Sequence, residues 1–381
     1  MSKKKKKKSN KLSGRFAIFF TVLLFVCTII FFNNRLASGS LKRMAYWIFN
    51  GVRADATETT VNFDANEYNR FFLIGGNLCV LSPEKFSSYT FSGSNNFSKQ
   101  VLLRTPAVST SSSKFIAYDL GGLSFNVFNK NKLLYSGVCD SKIISANMTE
   151  SGNFTIVTDG TNAKNTVTLY NKSFKPIFKF HSSERHVFDA APSPSCKTVG
   201  IITYGASEGR FESYFSLCNI NSDSFYSTTS LGNSTPLKLV FFSDNNILII
   251  CNDKTVVFDI NGNIVSEISY GTLPLKGFSV ASKKNISILL DDSQNGGNTK
   301  VLFIESNGTL TGELSFDEDI FSISSSEKYT ALQFSNRCVV YKADMSVYCE
   351  FEIPTSISQC LVNKDGSVLS IGNNFATLFV K

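Results

Sequence analysis

Few stretches of this 381-residue chain combine reactive residue types at spacings that chemistry requires. Gly205-Ala-Ser-Glu-Gly209 matches G-x-S-x-G. A nucleophile elbow needs a strand, a sharp turn and a following helix to lift the serine from the chain. Here apolar runs of strand type flank the motif on both sides, so a Gly-rich hairpin loop is expected. His186 could serve Ser207 as a base only if a third group oriented its ring. The two histidines of the chain lie in His181-Ser-Ser-Glu-Arg-His186. His181, Glu184 and His186 could begin a metal site if another ligand came from elsewhere. The same segment also reads as a solvated loop with Arg185 in an ion pair. Nine cysteines are present and none forms C-x-x-C, which gives no zinc ribbon or redox pair. Most sit where a strand would place a small apolar side chain. Cys338 and Cys349 flank a hairpin. A two-residue loop at Ala343-Asp344 would set them opposite each other, at a separation that a disulfide accepts; two reduced strand cysteines are the other reading.

The elements that must position these residues are strands. From Thr59 onward, short runs rich in Val, Ile, Phe and Tyr alternate with Asn, Gly, Asp and Ser turns, with no helical period. One unit recurs: an apolar strand, a turn of Ser/Asp/Gly/Lys type and a second apolar strand. It appears as Ala146-Asn-Met-Thr-Glu-Ser-Gly-Asn-Phe-Thr-Ile-Val157 and as Leu361-Val-Asn-Lys-Asp-Gly-Ser-Val-Leu-Ser370, with four copies between them. A third strand and a hairpin follow each copy. Asn261-Gly262 and Asn307-Gly308 supply residues that tolerate positive φ at such hairpins. Third strands are expected to start near 85, 123, 165, 212, 255, 300, 337 and 375. Their spacing averages about 41 residues, the length of a four-stranded propeller blade. The reading is an all-β, eight-bladed propeller, with seven blades as the alternative because the first two units are the faintest. The last unit is one strand short, and 59–63 has no unit of its own. An N-terminal strand that completes the last blade removes the open edges.

The first 58 residues have another character. Residues 1–15 hold eight cations and no acid, a basic tail. Residues 16–32 are uncharged and apolar, and as a helix would span about 26 Å, the short end of a membrane crossing. The excess of cations before this run keeps the N-terminus cytoplasmic and the body outside. The tail would also rest on the anionic inner leaflet. A cleaved signal peptide is the competing reading. Residues 33–58 form a stalk. In it Leu41, Met44, Ile48 and the pair Tyr46 and Trp47 recur at near-helical spacing, which suits an amphipathic helix anchored at the membrane interface. The propeller then occupies 59–381. The net charge of +8 belongs to the tail, leaving 30 basic against 30 acidic residues, and a neutral body argues against nucleic acid as a partner.

The Ser-Pro-Asp-Gly-like turns resemble those of WD-repeat and quinoprotein-like propellers. The whole layout runs from Lys-rich tail to apolar span to Val61-Asn-Phe-Asp and Tyr68-Asn-Arg-Phe-Phe-Leu-Ile-Gly-Gly. It is similar to single-pass, membrane-anchored propeller proteins of Gram-positive anaerobes that form a domain-of-unknown-function family. The resemblance implies a fold and a topology and carries over no catalytic residue. The one Trp lies in the stalk and there is no Trp-Asp dipeptide. The Trp-docking repeats that hold a quinone cofactor are therefore absent, and no cofactor is expected.

These readings converge on a binding or scaffolding module, not an enzyme. It would be held at the cell membrane by a single span with its body extracellular, and would take an envelope protein or glycan on loops at one face. The alternative is a hydrolase or lyase with its site in the central channel.

Overall fold

The computed structural model describes residues 59–207, 209–281, 285–291 and 299–380. The tail, the apolar span and the stalk with Tyr46 and Trp47 lie outside the described residues. Every regular element among the described residues is a β-strand, and the strands form eight four-stranded antiparallel sheets. Seven are simple meanders in chain order. The eighth has the order 59–62, 375–379, 368–371 and 359–362. The strand Thr59–Asn62 is therefore the outer strand of the last blade, with Thr59 opposite Leu378 and Asn62 opposite Phe375. This is the expected closure, and the blade number is eight.

Continuous apolar runs explain why the sheets assemble as a ring. Ile247, Leu248, Ile249, Ile250 and Cys251 are all buried although they are consecutive in one strand. Side chains alternate between the two faces of a strand, so both faces of this sheet must be covered. Ile247, Ile249 and Cys251 pack with Phe215 and Leu217 of the fourth blade, while Leu248 and Ile250 pack with Ile286 and Ile288 of the sixth. Eight such cores are present, one between each pair of consecutive blades. The one between blades eight and one, with Val61, Leu369 and Leu378 against Leu78 and Val80, closes the circle. Between blades one and two the core is aromatic: Phe86 meets Phe115 at 4.8 Å and Phe128 at 4.9 Å. Phenylalanine thus fills the interface of the two units whose repeat is hardest to see in sequence.

Antiparallel order fixes where the loops go. Blade-to-blade crossovers and the turns between second and third strands share one end of the sheets, here called the crossover face. The turns between first and second and between third and outer strands share the other. Thr59 begins an outer strand, so the chain enters on this second face, here called the entry face.

Candidate functional site

The sequence-derived candidates occupy separate places. His181 lies on the outer strand of the third blade (Pro176–Ser182), exposed, its Nδ1 3.0 Å from the Thr166 hydroxyl. His186 opens the inner strand of the fourth blade (His186–Pro192) and stacks on Tyr204 with ring centroids 5.5 Å apart. Glu184 lies in the exposed turn between them, where its backbone carbonyl accepts from Lys164 Nζ at 2.7 Å. Among the described residues no group of three His, Cys, Asp or Glu side chains gathers that could hold a metal ion. The G-x-S-x-G segment is a tight hairpin. Strands Thr198–Ser207 and Arg210–Asn219 pair up to Ser207 opposite Arg210, and Gly209 takes the left-handed conformation at the tip. With a strand on both sides, the geometry of a nucleophile elbow is not formed.

The expected opposition of Cys338 and Cys349 is corrected by the register. Cys338 faces Phe351, and Cys349 faces Val340. The loop is longer than two residues: Lys342 N donates to Ser346 O, and Met345 adopts φ +64° within it. The same loop recurs as Thr90–Ser94, Asn171–Lys175, Asp259–Asn263 and Glu305–Thr309, with Gly93, Phe174, Gly262 and Gly308 at the left-handed place. Glycine marks it in three of the sister blades, whereas methionine hides it here. The neighbour of Cys338 is instead Cys360, in the next blade. Their hydrogen bond together with burial pushes the Cys338 thiol well above its ordinary range.

The structure adds a polar cluster on the inner strands of blades three, four and five. These strands, Ile143–Met148, His186–Pro192 and Pro236–Ser243, each carry a bulge after their first or second residue. A bulge re-aims the side chains that follow it. Asp189 comes directly after one bulge and Lys238 directly after another. The Asn147 amide bridges them. Its nitrogen donates to both Asp189 oxygens at 2.7 and 2.8 Å, and its oxygen accepts from Lys238 Nζ at 2.8 Å. Ala190 N adds a donor to Asp189 Oδ1 at 3.0 Å. Burial pushes the Asp189 carboxyl above the usual range against the pull of Lys238 and Asn147. Tyr118 is pushed up to about 12 by burial, with the Asp189 charge adding to it. This arrangement ties three blades together through one amide. A charged residue inside an apolar inner strand, as in Val187-Phe-Asp189 or Leu237-Lys-Leu239, is the sequence signal that would have found it.

The crossover face carries exposed apolar side chains that a partner could cover. On the second blade Leu102 is 86% exposed and Val138 75%, with Leu120 and Leu123 exposed beside them. Hydrogen bonds and strand pairing tie Leu102, Leu123 and Val138 to one another. Ser124 Oγ donates to Leu102 O at 3.4 Å, Ser124 pairs with Val138, and Cys139 N donates to Leu123 O at 2.8 Å. On the fourth blade the two ten-residue strands overhang their neighbours. They present Phe211 stacked on Tyr204, with the Arg185 guanidinium 3.6 Å above the Tyr214 ring.

A model of a family of unknown function (DUF5711) matches residues 48–375. Among solved structures, BamB from Moraxella catarrhalis aligns with a TM-score of 0.51 at 10% identity, covering 86% of this chain and 100% of that one. The C-terminal WD40 domain of Sif2 gives 0.58 at 13% identity, with 86% and 98% covered. A eukaryotic initiation factor gives 0.53 at 15% identity, with 81% and 83% covered. No curated protein matches the sequence. These likenesses show the fold, a β-propeller.

Proposed function

The chain belongs to the DUF5711 family, and from that premise we propose that it is a membrane-anchored, extracytoplasmic propeller whose crossover face holds a protein partner. The observation that carries this reading is the patch of Leu102, Leu120, Leu123 and Val138. Four apolar side chains exposed to water at one end of a hydrogen-bonded sheet suit an interface that a partner completes. The overhanging hairpin with Phe211 and Tyr204 widens the same face, and aromatic and arginine side chains are favoured anchors in such contacts. The similarity to propellers such as BamB and the Sif2 WD40 domain supports a ring used as a scaffold. Binding, not catalysis, is its role in this reading.

Residues 16–32 and the cationic tail before them support a single span with the body outside the cell. The likeness in layout to anchored propellers of Gram-positive anaerobes supports the same placement. Two measurements test the proposal. The full chain should stay in the membrane pellet after alkaline carbonate, and protease added to intact cells should remove the propeller; release of the chain by carbonate would remove the anchor. The ring used as bait on envelope extracts should retain a saturable protein partner that the double variant Leu102→Asp, Val138→Asp does not. Equal retention by both would remove the patch from the proposal.

A further inference from the structure

The neutral charge of the body conceals a local excess. On the entry face, blades two, three and four bring six lysines to one sector. Lys114 opens the strand Lys114–Asp119, and Lys130 and Lys132 lie at the next turn of the second blade. Lys172 and Lys175 lie in the loop of the third blade, and Lys197 in the first turn of the fourth. Contacts make the sector continuous. Lys114 Nζ lies 6.0 Å from the Phe174 ring centroid, and Ser151 Oγ donates to Pro194 O at 3.5 Å. Glu150 is the acid within the sector, and its carboxylate accepts from Ser112 N at 2.9 Å. Asp223 and Asp244 stand at its border, the second accepting from Ser195 N at 3.0 Å. The ion pairs of the described residues draw on other cations: Lys254, Lys276, Lys300, Arg337 and Lys364.

The excess is confined to this sector: among the described residues, the turns of the entry face as a whole hold seven acidic against six basic side chains, while the crossovers and second-to-third turns of the opposite face hold nine acidic against four basic, with Asp317, Glu318 and Asp319 in one crossover. We propose that the lysine sector of the entry face rests on an anionic phospholipid surface, which turns the crossover face and its apolar patch away from the membrane. The entry of the chain favours lipid as the occupant. Thr59 starts on this same face, and the apolar run 16–32 precedes it by 26 stalk residues. A polybasic surface beside a membrane attachment gains roughly fivefold in partitioning for each cation near the headgroups, and the gain fades within a Debye length.

This orientation rests on the anchored reading, yet the ring can be tested without the anchor, because residues 54–381 form a compact unit that contains all eight blades. Residues 54–381 are sedimented with vesicles of phosphatidylcholine alone and with vesicles that also contain phosphatidylglycerol. Binding to the anionic vesicles only, abolished at high salt, is the expected result. The variant Lys172→Glu, Lys175→Glu should lower it about tenfold or more. The variant Arg104→Glu, Lys142→Glu, on the crossover face, should bind at least as well as the parent; melting temperatures confirm that both fold. Equal binding to both vesicles, no binding to either, or loss of binding in the crossover-face variant alone would overturn the proposal. So would tight binding of soluble polyphosphate without vesicle binding. None of these outcomes bears on carbonate extraction of the full chain, so failure of the sector and failure of the anchor are told apart.

Discussion

Thr60 and Thr377 stand opposite each other across the seam of the ring, 317 positions apart in the chain, with their hydroxyls 3.4 Å apart. That pairing closes the eighth blade. It also makes the ring a structure whose last sheet needs both chain ends, so its closure entropy is met only when everything between is folded.

The seam can be weakened at Val61, which is buried and faces Ala376 in the core shared by blades eight and one. Val61→Asp places an unpaired carboxylate there. It should lower stability by about 3 kcal/mol or more, whereas Thr60→Ala on the exposed side should cost less than about 1 kcal/mol. Urea unfolding followed by fluorescence reads both values. Equal midpoints for the two variants would mean that the strand does not close the blade.

The Asp189 cluster predicts a pH dependence. Its carboxyl is raised by burial, so the folded state holds the proton more tightly than the unfolded chain does. The stability that this proton contributes is complete below the unfolded carboxylate range near pH 4 and is lost as pH rises through the higher folded value. Asp189→Asn should therefore flatten the fall in stability as pH rises above about 4. Lys238→Met should steepen it and cost about 3 kcal/mol at neutral pH, the low end for stranding a buried charge, because Lys238 is half-exposed and water can enter when it is gone. Guanidinium unfolding over a pH series checks both slopes.

Much of this architecture could be read from residue order. Third strands begin at Lys85, Ser124, Asn165, Arg210, Lys254, Thr299, Arg337 and Phe375, each within two residues of the position expected from the repeat. The repeat is visible because each blade must bury both faces, which forces apolar runs at a fixed interval. Asn307-Gly308 announces its turn because glycine is the usual residue for positive φ. Met345 and Phe174 occupy the same place with no such mark, and the Cys338 register slips for that reason. The Asp189, Asn147 and Lys238 cluster joins residues 42 to 91 positions apart through bulges, which leave no periodic trace. The apolar patch was hidden because Leu102 and Val138 resemble core residues until the crossover that carries them is seen to face water.

The left-handed turn position gives its own test. A methyl group on Gly308 would lie 2.5 Å from Ser266 Cβ, at φ +86°, so Gly308→Ala carries both a clash and backbone strain. At the tip of the blade-four hairpin, Gly209 has φ +76° and open space around it. Gly308→Ala should cost about 2–3 kcal/mol and Gly209→Ala about 1 kcal/mol. Thermal unfolding of the two proteins side by side gives the difference; a larger loss at Gly209 would contradict the turn geometry.

The cysteines predict a chemical outcome that separates the register from its alternative. Burial pushes the Cys79 and Cys251 thiols up to about 12, so at neutral pH almost no thiolate is present at either, and the thiolate is the reactive form. An aromatic disulfide reagent should leave both unmodified in the native ring and modify them at once in denaturant. Peptide mapping of the protein prepared without reductant should yield no peptide crosslinked between Cys338 and Cys349, since Phe351 and Val340 occupy the opposed positions. A crosslinked Cys338–Cys349 peptide would require the hairpin to slip by two residues and would expel Phe351 from the core it shares with Val340 and Phe379. Loss of that packing would appear as a lower melting temperature in the oxidised form than in the reduced one.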